Sequence, residues 1–309
     1  MGPLSRCLSI LIYHRVVPEP DPLAPDEVCE SEFDSQLAAL GRWFTVLPLK
    51  EAAARLRDGT LPVRAACITF DDGYADNAAV ALPVLRRRGL PATFFLATGF
   101  LDGGRMWNDS VIETVRRARG DTLDARCVGL GEMAVSTPPL RRRTIAALLA
   151  ALKYLPQDER QKRVDELAAE ASASLPDDMM MTTGQVRELQ AGGMEIGAHT
   201  LTHPILAKLD PERARNEIRE SKRRLEAITG KPVTLFAYPN GKPGQDYRSE
   251  HVRMVSELGF DAAVSTAWGV AHRASDRFQL PRFTPWDKRP AKFVLRLLRN
   301  TFRTTSERV

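Results

Sequence analysis

The feature that most constrains this chain is a repeated change of hydrophobic period along it. Short apolar runs recur at "LSILIY" (8–13), "FTVLPL" (44–49), "ACITF" (66–70), "ATFFLAT" (92–98), "MEIGA" (194–198), "VTLFAY" (233–238), "DAAVST" (261–266) and "RFQLPRF" (277–283). Each is rich in β-branched, leucine or aromatic residues and has the length of a buried strand. Between most of them lie amphipathic patterns of helical period, such as "SEFDSQLAALGRW" (31–43), "KEAAARLRDG" (50–59), "DNAAVALPVLRRRG" (76–89) and "PERARNEIRESKRRLEAITG" (211–230). Several close on glycine, the residue favoured just past a helix C-terminus. Strand and helix alternating in this way predict an α/β fold on a parallel sheet, closed into a barrel or doubly wound. The length of 309 residues fits one large α/β domain or two ordinary ones.

One stretch breaks the alternation. Residues 105–183 carry no strand pattern and read as two or three helices, including "SVIETVRRARG" and "RRRTIAALLAALKYLPQDERQKRVDELAAEASA". The strand pattern resumes at Met194, so 105–183 is expected to be a mainly helical insertion within a single domain.

Composition narrows the partners. A hydrophobic fraction of 43% with 27% charged residues is that of a folded globular protein, neither disordered nor embedded in a membrane. The net charge of +5 and the arginine triplets at 86–88 and 141–143 suit solvated helix faces. No helix-turn-helix, finger or basic-aromatic motif accompanies them, so nucleic acid is not an expected partner. Cysteines 7, 29, 67 and 127 lack any C-x-x-C spacing, which excludes a zinc ribbon and gives no disulfide framework; Cys67 reads as a core residue. "CLSILIY" has no small-residue cleavage site after it, "LSRC" (4–7) is only faintly like a lipoprotein site, and no run of about 18 apolar residues exists to span a membrane. A cytoplasmic location is the expectation. The basic amphipathic stretch "AKFVLRLLRNTFR" (291–303) is expected to pack back on the fold, with contact to an anionic membrane surface as the alternative. Trp107, Asn108, Trp268 and Trp286 are candidates for stacking or binding a sugar, although a lone tryptophan is more often core.

Parallel strands bring their C-terminal ends to one edge, and in barrels that edge carries the active site. "LSILIY" ends in His14, "ACITF" runs on to Asp71, Asp72 and Gly73, "MEIGA" is followed by His199 and His203, and "VTLFAY" leads to Tyr238, Pro239, Asn240 and Gly241. "HTLTH" at 199–203 places two imidazoles four apart, on one face of a single helical turn. Two histidines and one carboxylate give three ligands to a catalytic zinc and leave a fourth position for water. The adjacent acids then divide the work. Successive side chains leaving a strand point in different directions, so one acid can ligate while the other takes a proton, and Gly73 permits the sharp turn.

"TFDDG" (69–73) and "HTLTH" (199–203), in that order and each after an apolar strand, resemble the first and second motifs of the polysaccharide deacetylases, the NodB-homology carbohydrate esterases. "ILIYHRV" (11–17) resembles the N-terminal motif of the branch that deacetylates poly-N-acetylglucosamine, and "FAYPNG" (236–241) is similar to that branch's third motif. The resemblance covers most of the chain outside 105–183. It implies a distorted (β/α) barrel of about seven strands, a divalent metal, zinc foremost, and hydrolysis of an N-acetyl group on an N-acetylated carbohydrate. By position it makes Asp71 the general base and Asp72, His199 and His203 the metal ligands. Tyr238 and Asn240 become the substrate and oxyanion contacts, with the Asn240 backbone N–H standing in for that of the family's tyrosine. The sequence departs from the family at Ala237, where many members carry an arginine that orients the base; Arg282 in "LPRF" is the candidate replacement. The late Leu-x-His motif is also missing, which leaves His14 as the catalytic acid. A relative on the same barrel hydrolysing another amide, such as a cyclic ureide, and an inactive carbohydrate-binding remnant are the alternatives.

Overall fold

The computed structural model describes residues 6–301 and 307–309. It divides into two compact units, one of Met1–Glu19, Val28–Asp102 and Met181–Val309, the other of Pro20–Glu27 and Gly103–Met180.

In the larger unit the apolar runs become strands. The elements are β1 (Leu8–Tyr13), β2 (Val16–Val17), β3 (Val28–Cys29), α1 (Glu30–Trp43), β4 (Thr45–Val46), α2 (Leu49–Asp58), β5 (Ala65–Phe70), a π-helical turn at Asn77–Ala81, α3 (Leu82–Arg88) and β6 (Thr93–Leu96). The main sheet runs β1-β5-β6 and continues, after the second unit, through β9 (Glu195–Ala198), β10 (Leu235–Ala237), β11 (Ala262–Trp268) and β12 (Leu280–Arg282). All these pairs are parallel, and β4 adds to β5. Just past β12, the Phe283 N–H donates to the Ile10 carbonyl at 2.7 Å and the Phe283 carbonyl accepts from Ile12 at 3.0 Å. That return to β1 nearly closes a barrel of seven parallel strands.

Strand period decides what faces where. Ile10, Cys67, Phe95, Ala237, Val264 and Leu280 form the interior cluster, with Leu49, Ala52 and Leu56 of α2 packed into it. Their neighbours Leu11, Ile68, Phe94 and Phe236 belong to the larger outer cluster under the helices. The remaining helices of this unit are α7 (Thr183–Ala191), α8 (Pro211–Thr229), α9 (Ser249–Glu257) and α10 (Pro290–Asn300). α10 packs back against α1, burying Phe293, Val294 and Leu297. Residues 302–303 of the predicted basic stretch, and 4–5 of "LSRC", lie outside the described residues. Among the described residues no helix is long and apolar enough to cross a membrane.

The smaller unit has its own core of Val111, Val115, Leu123, Leu148, Leu152, Val164 and Leu167. It comprises α4 (Trp107–Arg117), α5 (Pro138–Leu152) and α6 (Gln157–Glu170), with a hairpin of β7 (Thr122–Asp124) and β8 (Glu132–Ala134) that the strand-free reading of 105–183 did not anticipate. Strands of three residues are too short to print an alternating pattern.

Candidate active site

β5 delivers the two acids through one regular step and one irregular one. Asp71 stays on the ladder, its N–H donating to the Tyr13 carbonyl at 2.9 Å. Residues 67, 69 and 71 alternate onto the interior face, as do Leu280 and Arg282 of β12. The Arg282 guanidinium therefore meets the Asp71 carboxylate side by side, Nη1 to Oδ1 at 2.7 Å and Nη2 to Oδ2 at 2.6 Å. It also donates through Nε to the Ser265 carbonyl at 2.9 Å and through Nη1 to Thr69 Oγ1 at 3.2 Å. Both partners are essentially buried, Arg282 at 1% exposure and Asp71 at 2%. A forked pair of this kind is held by charge-assisted bonds, and neither charge could stay buried alone.

The chain then turns abruptly. Asp72 takes φ +77° and Gly73 φ +95°, a left-handed step that side-chain-bearing residues resist and aspartate tolerates better than most. The step swings Asp72 away from Asp71 and towards the loop after β9. There its Oδ1 lies 3.4 Å from His199 Nε2 and 3.4 Å from His203 Nε2. His199 Nδ1 sits 2.8 Å from the Ala237 carbonyl, which can only accept, so Nδ1 carries a proton and Nε2 is the atom turned towards Asp72. Asp72 Oδ1 is buried without a hydrogen-bond partner. The ligand atoms of Asp72, His199 and His203 all fall within 4.8 Å of one another.

The two histidines converge by a different route from the helical turn expected of "HTLTH". Residues 199–203 are non-helical, with Thr200 at φ +64° and His203 at φ +52°. Two contacts fix this loop. Glu217 of α8 accepts the N–H groups of Leu201 and Thr202 at 2.9 and 2.8 Å and the Thr202 hydroxyl at 2.7 Å. Gly99 donates to the Leu201 carbonyl at 2.7 Å, an approach that a β-carbon at 99 would block, since it would lie 2.6 Å from that same oxygen. The glutamate lies inside a helical pattern in the sequence, where nothing distinguishes it from a solvated charge.

The electrostatics separate the roles. Burial pushes the Asp71 carboxyl up, but the Arg282 charge, then His199 and the two hydrogen bonds, hold it below the ordinary aspartate value. Burial likewise opposes ionisation of Asp72, and the His203 charge and the His199 contact outweigh it, leaving that carboxyl well below the usual range. Desolvation drives His203 down to about 4, so its ring is neutral and able to ligate near neutral pH. For His199 the charges of Asp71 and Asp72 overcome burial and raise the ring above its usual value.

His14 follows β1 as an exposed residue, near enough for its charge to depress both carboxyls. Its backbone carbonyl accepts from Asn77 Nδ2 at 2.9 Å. Asn240 adopts φ +58°, its carbonyl accepts from Thr266 Oγ1 at 2.7 Å, and its N–H donates to no protein acceptor among the described residues. Tyr238 requires a correction. It sits two residues on from Phe236, on the outward face, fully buried and stacked on Tyr247 at 3.9 Å, and its N–H is spent on the Val264 carbonyl at 3.2 Å. Strand alternation sets it in the outer cluster with Phe236 and Tyr247, where its hydroxyl is buried without a hydrogen-bond partner among the described residues.

The tryptophans divide. Trp107 is packed within the smaller unit, the Arg160 guanidinium 4.8 Å above its ring, while Asn108 is half-buried beside it on α4. Trp268 and Trp286 depart from the core expectation: they are 37% and 57% exposed, with ring centroids 5.9 Å apart. Trp268 ends β11 and Trp286 follows β12, at the same edge of the sheet as the acids.

A family model described as polysaccharide deacetylase matches residues 58–123 and 161–263, more than half of the chain. A relative, YxkH of Bacillus subtilis (strain 168), which carries the polysaccharide deacetylase name, is 22% identical over 277 residues, covering 89% of this chain and 70% of its own. Among solved structures, the Streptococcus pyogenes deacetylase PplD, determined in complex with acetate, superposes with a TM-score of 0.63 at 20% identity, over 94% of this chain and 98% of that one. IcaB from Ammonifex degensii superposes with a TM-score of 0.62 at 19% identity, over 94% and 98%.

Proposed function

The chain belongs to the polysaccharide deacetylase family, and from that premise we propose that it removes the N-acetyl group of an N-acetylated amino sugar, giving a free amine and acetate. Action on acetylated carbohydrate is the family's chemistry; the N-acetyl linkage and the residue roles are our reading. The observation that carries it is the buried, unpartnered Asp72 Oδ1 facing two imidazole Nε2 atoms, beside an Asp71 held ionised by Arg282.

That donor set fits a divalent cation. One carboxylate and two neutral-capable imidazoles suit zinc, and an oxygen stripped of hydrogen bonds in a buried site is otherwise costly. Asp72, His199 and His203 would hold the ion. When bound, it supplies a Lewis acid for the acetamide carbonyl and acidifies water. Asp71 takes the proton of the attacking water, and Arg282 fixes the orientation of that carboxylate and keeps it ionised. In this reading the Asn240 N–H donates to the carbonyl oxygen as charge gathers there, a contribution of about 3 kcal/mol for one donor. His14 gives a proton to the amide nitrogen as the C–N bond breaks, because without it the nitrogen would have to leave as an amide anion, which is prohibitive near neutral pH. Trp268 and Trp286 supply exposed aromatic faces on which a sugar ring can stack.

The test joins metal analysis to acetate release from N-acetylglucosamine oligomers, for wild type and Asp71→Asn. The proposal requires bound divalent metal in both and a rate that collapses in the variant. A wild type without metal after purification in its presence, or an undiminished variant, overturns it.

A further inference from the structure

His14 poses a difficulty for its assigned role. It follows β1 as an exposed loop residue, and a proton donor that wanders loses most of its advantage, because the rate depends on its being within hydrogen-bond reach of the leaving atom. The three residues 14–16 are nevertheless fastened one by one. Asn77 Nδ2 donates to the His14 carbonyl at 2.9 Å. Arg15 Nε donates to Asp76 Oδ2 at 2.7 Å, and the same guanidinium lies 4.9 Å from the Tyr74 ring centroid. The Val16 N–H donates to Asp76 Oδ1 at 3.3 Å, and that oxygen also accepts from Asn77 Nδ2 at 3.1 Å.

Every one of these anchors comes from "YADN" (74–77), directly after the acids and Gly73. Asn77 is fully buried and Asp76 is 9% exposed, so two polar side chains are kept out of water to grip a single loop. Asn77 also opens the π-helical turn Asn77–Ala81, a conformation seen mostly as single turns at functional sites. The same short segment thus carries the proposed base and ligand at one end and the grip on His14 at the other.

We infer that Asn77, braced by Asp76, is a positioning residue for the proton-donating imidazole of His14. The inference rests on the reading of His14 as the catalytic acid, and its test separates the two. Hydrolysis of an amide needs the leaving nitrogen protonated, whereas 4-nitrophenyl acetate expels a stable phenolate without help. Asn77→Ala should lower kcat on N-acetylglucosamine oligomers by about tenfold, a part of the 10² to 10⁴ available from a general acid, while keeping bound metal and the aryl-acetate rate within about threefold. His14→Ala should give the same selective loss at about 100-fold or more, and the double variant should be no worse than His14→Ala alone. Asp76→Asn, which keeps volume but turns one accepting oxygen into a donor and removes the charge facing Arg15, supplies a second version should Asn77→Ala fail to fold. Equal losses on amide and aryl ester in both position-76 and position-77 variants, or an additive double variant, overturn the inference while leaving His14 in place. If His14→Ala itself shows no selectivity for the amide, the acid assignment falls and the inference with it.

Discussion

The two ends of β9 each carry a buried or half-buried ionisable group, and they are treated in opposite ways. At the start of the strand, the Glu195 carboxylate accepts from the N–H groups of Leu49 and Lys50, at 2.7 and 3.3 Å, and from Thr93 Oγ1 at 2.7 Å. It joins α2 to the sheet through neutral dipoles. Burial pushes its carboxyl up, and the bonds from Thr93, Lys50 and Leu49 only partly bring it back. Four residues later, beyond the other end, His199 enters a cluster in which Asp71 and Asp72 are held low by full charges and one oxygen is left without a partner. A carboxylate satisfied by its own fold serves structure. One kept ionised with a lone pair to spare is available for a ligand.

Substitutions at the two ends can break this contrast. The largest effect is expected for Asp71→Asn, a fall of about 10² to 10⁴ in kcat with metal retained; loss of metal would mean that Asp71 is itself a ligand. Arg282→Met should destabilise the fold by about 3 to 5 kcal/mol in urea titration, since it strands a buried carboxylate. A cost below about 1 kcal/mol would show the pair to be far more hydrated than its burial implies. Chelation should abolish acetate release reversibly and lower the unfolding midpoint, a ligand at 100 times its dissociation constant being worth about 2.7 kcal/mol. At the opposite end, Glu195→Ala should cost about 1 to 3 kcal/mol of stability and leave kcat within about twofold; a catalytic defect there would erase the contrast. The smallest effect is on pH dependence. Because the folded carboxyl of Glu195 lies above its unfolded value of 4.5, its stability contribution is complete below that pH and declines as pH rises through the folded value. Wild type should therefore lose ground to Glu195→Gln as pH rises above 4.5, and a gain would contradict the sign.

Sequence legibility followed regularity. Alternating periods revealed the barrel strands, and the missing family arginine at Ala237 pointed to Arg282 at a later strand end, which pairs with Asp71 although 211 positions separate them. What escaped was set by single backbone torsions. The positive φ values of Asp72, Thr200 and His203 accompany the convergence of the candidate ligand atoms, and β-branched Thr200 is a residue for which a left-handed conformation is not expected. The helical spacing of "HTLTH" was consequently the wrong geometry for the right neighbours. Tyr238 packs in the outer cluster although it lies within the single motif "FAYPNG", because strand alternation sends consecutive residues to opposite faces. Glu217, Asp76 and Asn77 were illegible as supports since each looks, in isolation, like an ordinary polar residue of a helical pattern.

The forked pair of Asp71 with Arg282 also has a temporal meaning. Both acids and the two histidines precede Arg282 in the chain, so the counter-charge for Asp71 is supplied only when β12 joins the sheet. A chain stopped before β12 could gather the ligand residues and still hold an uncompensated anion where the interior must form. The pairing of the proposed base thus waits for β12, and a chain lacking that strand is expected to lose the contact that lets Asp71 stay ionised while buried.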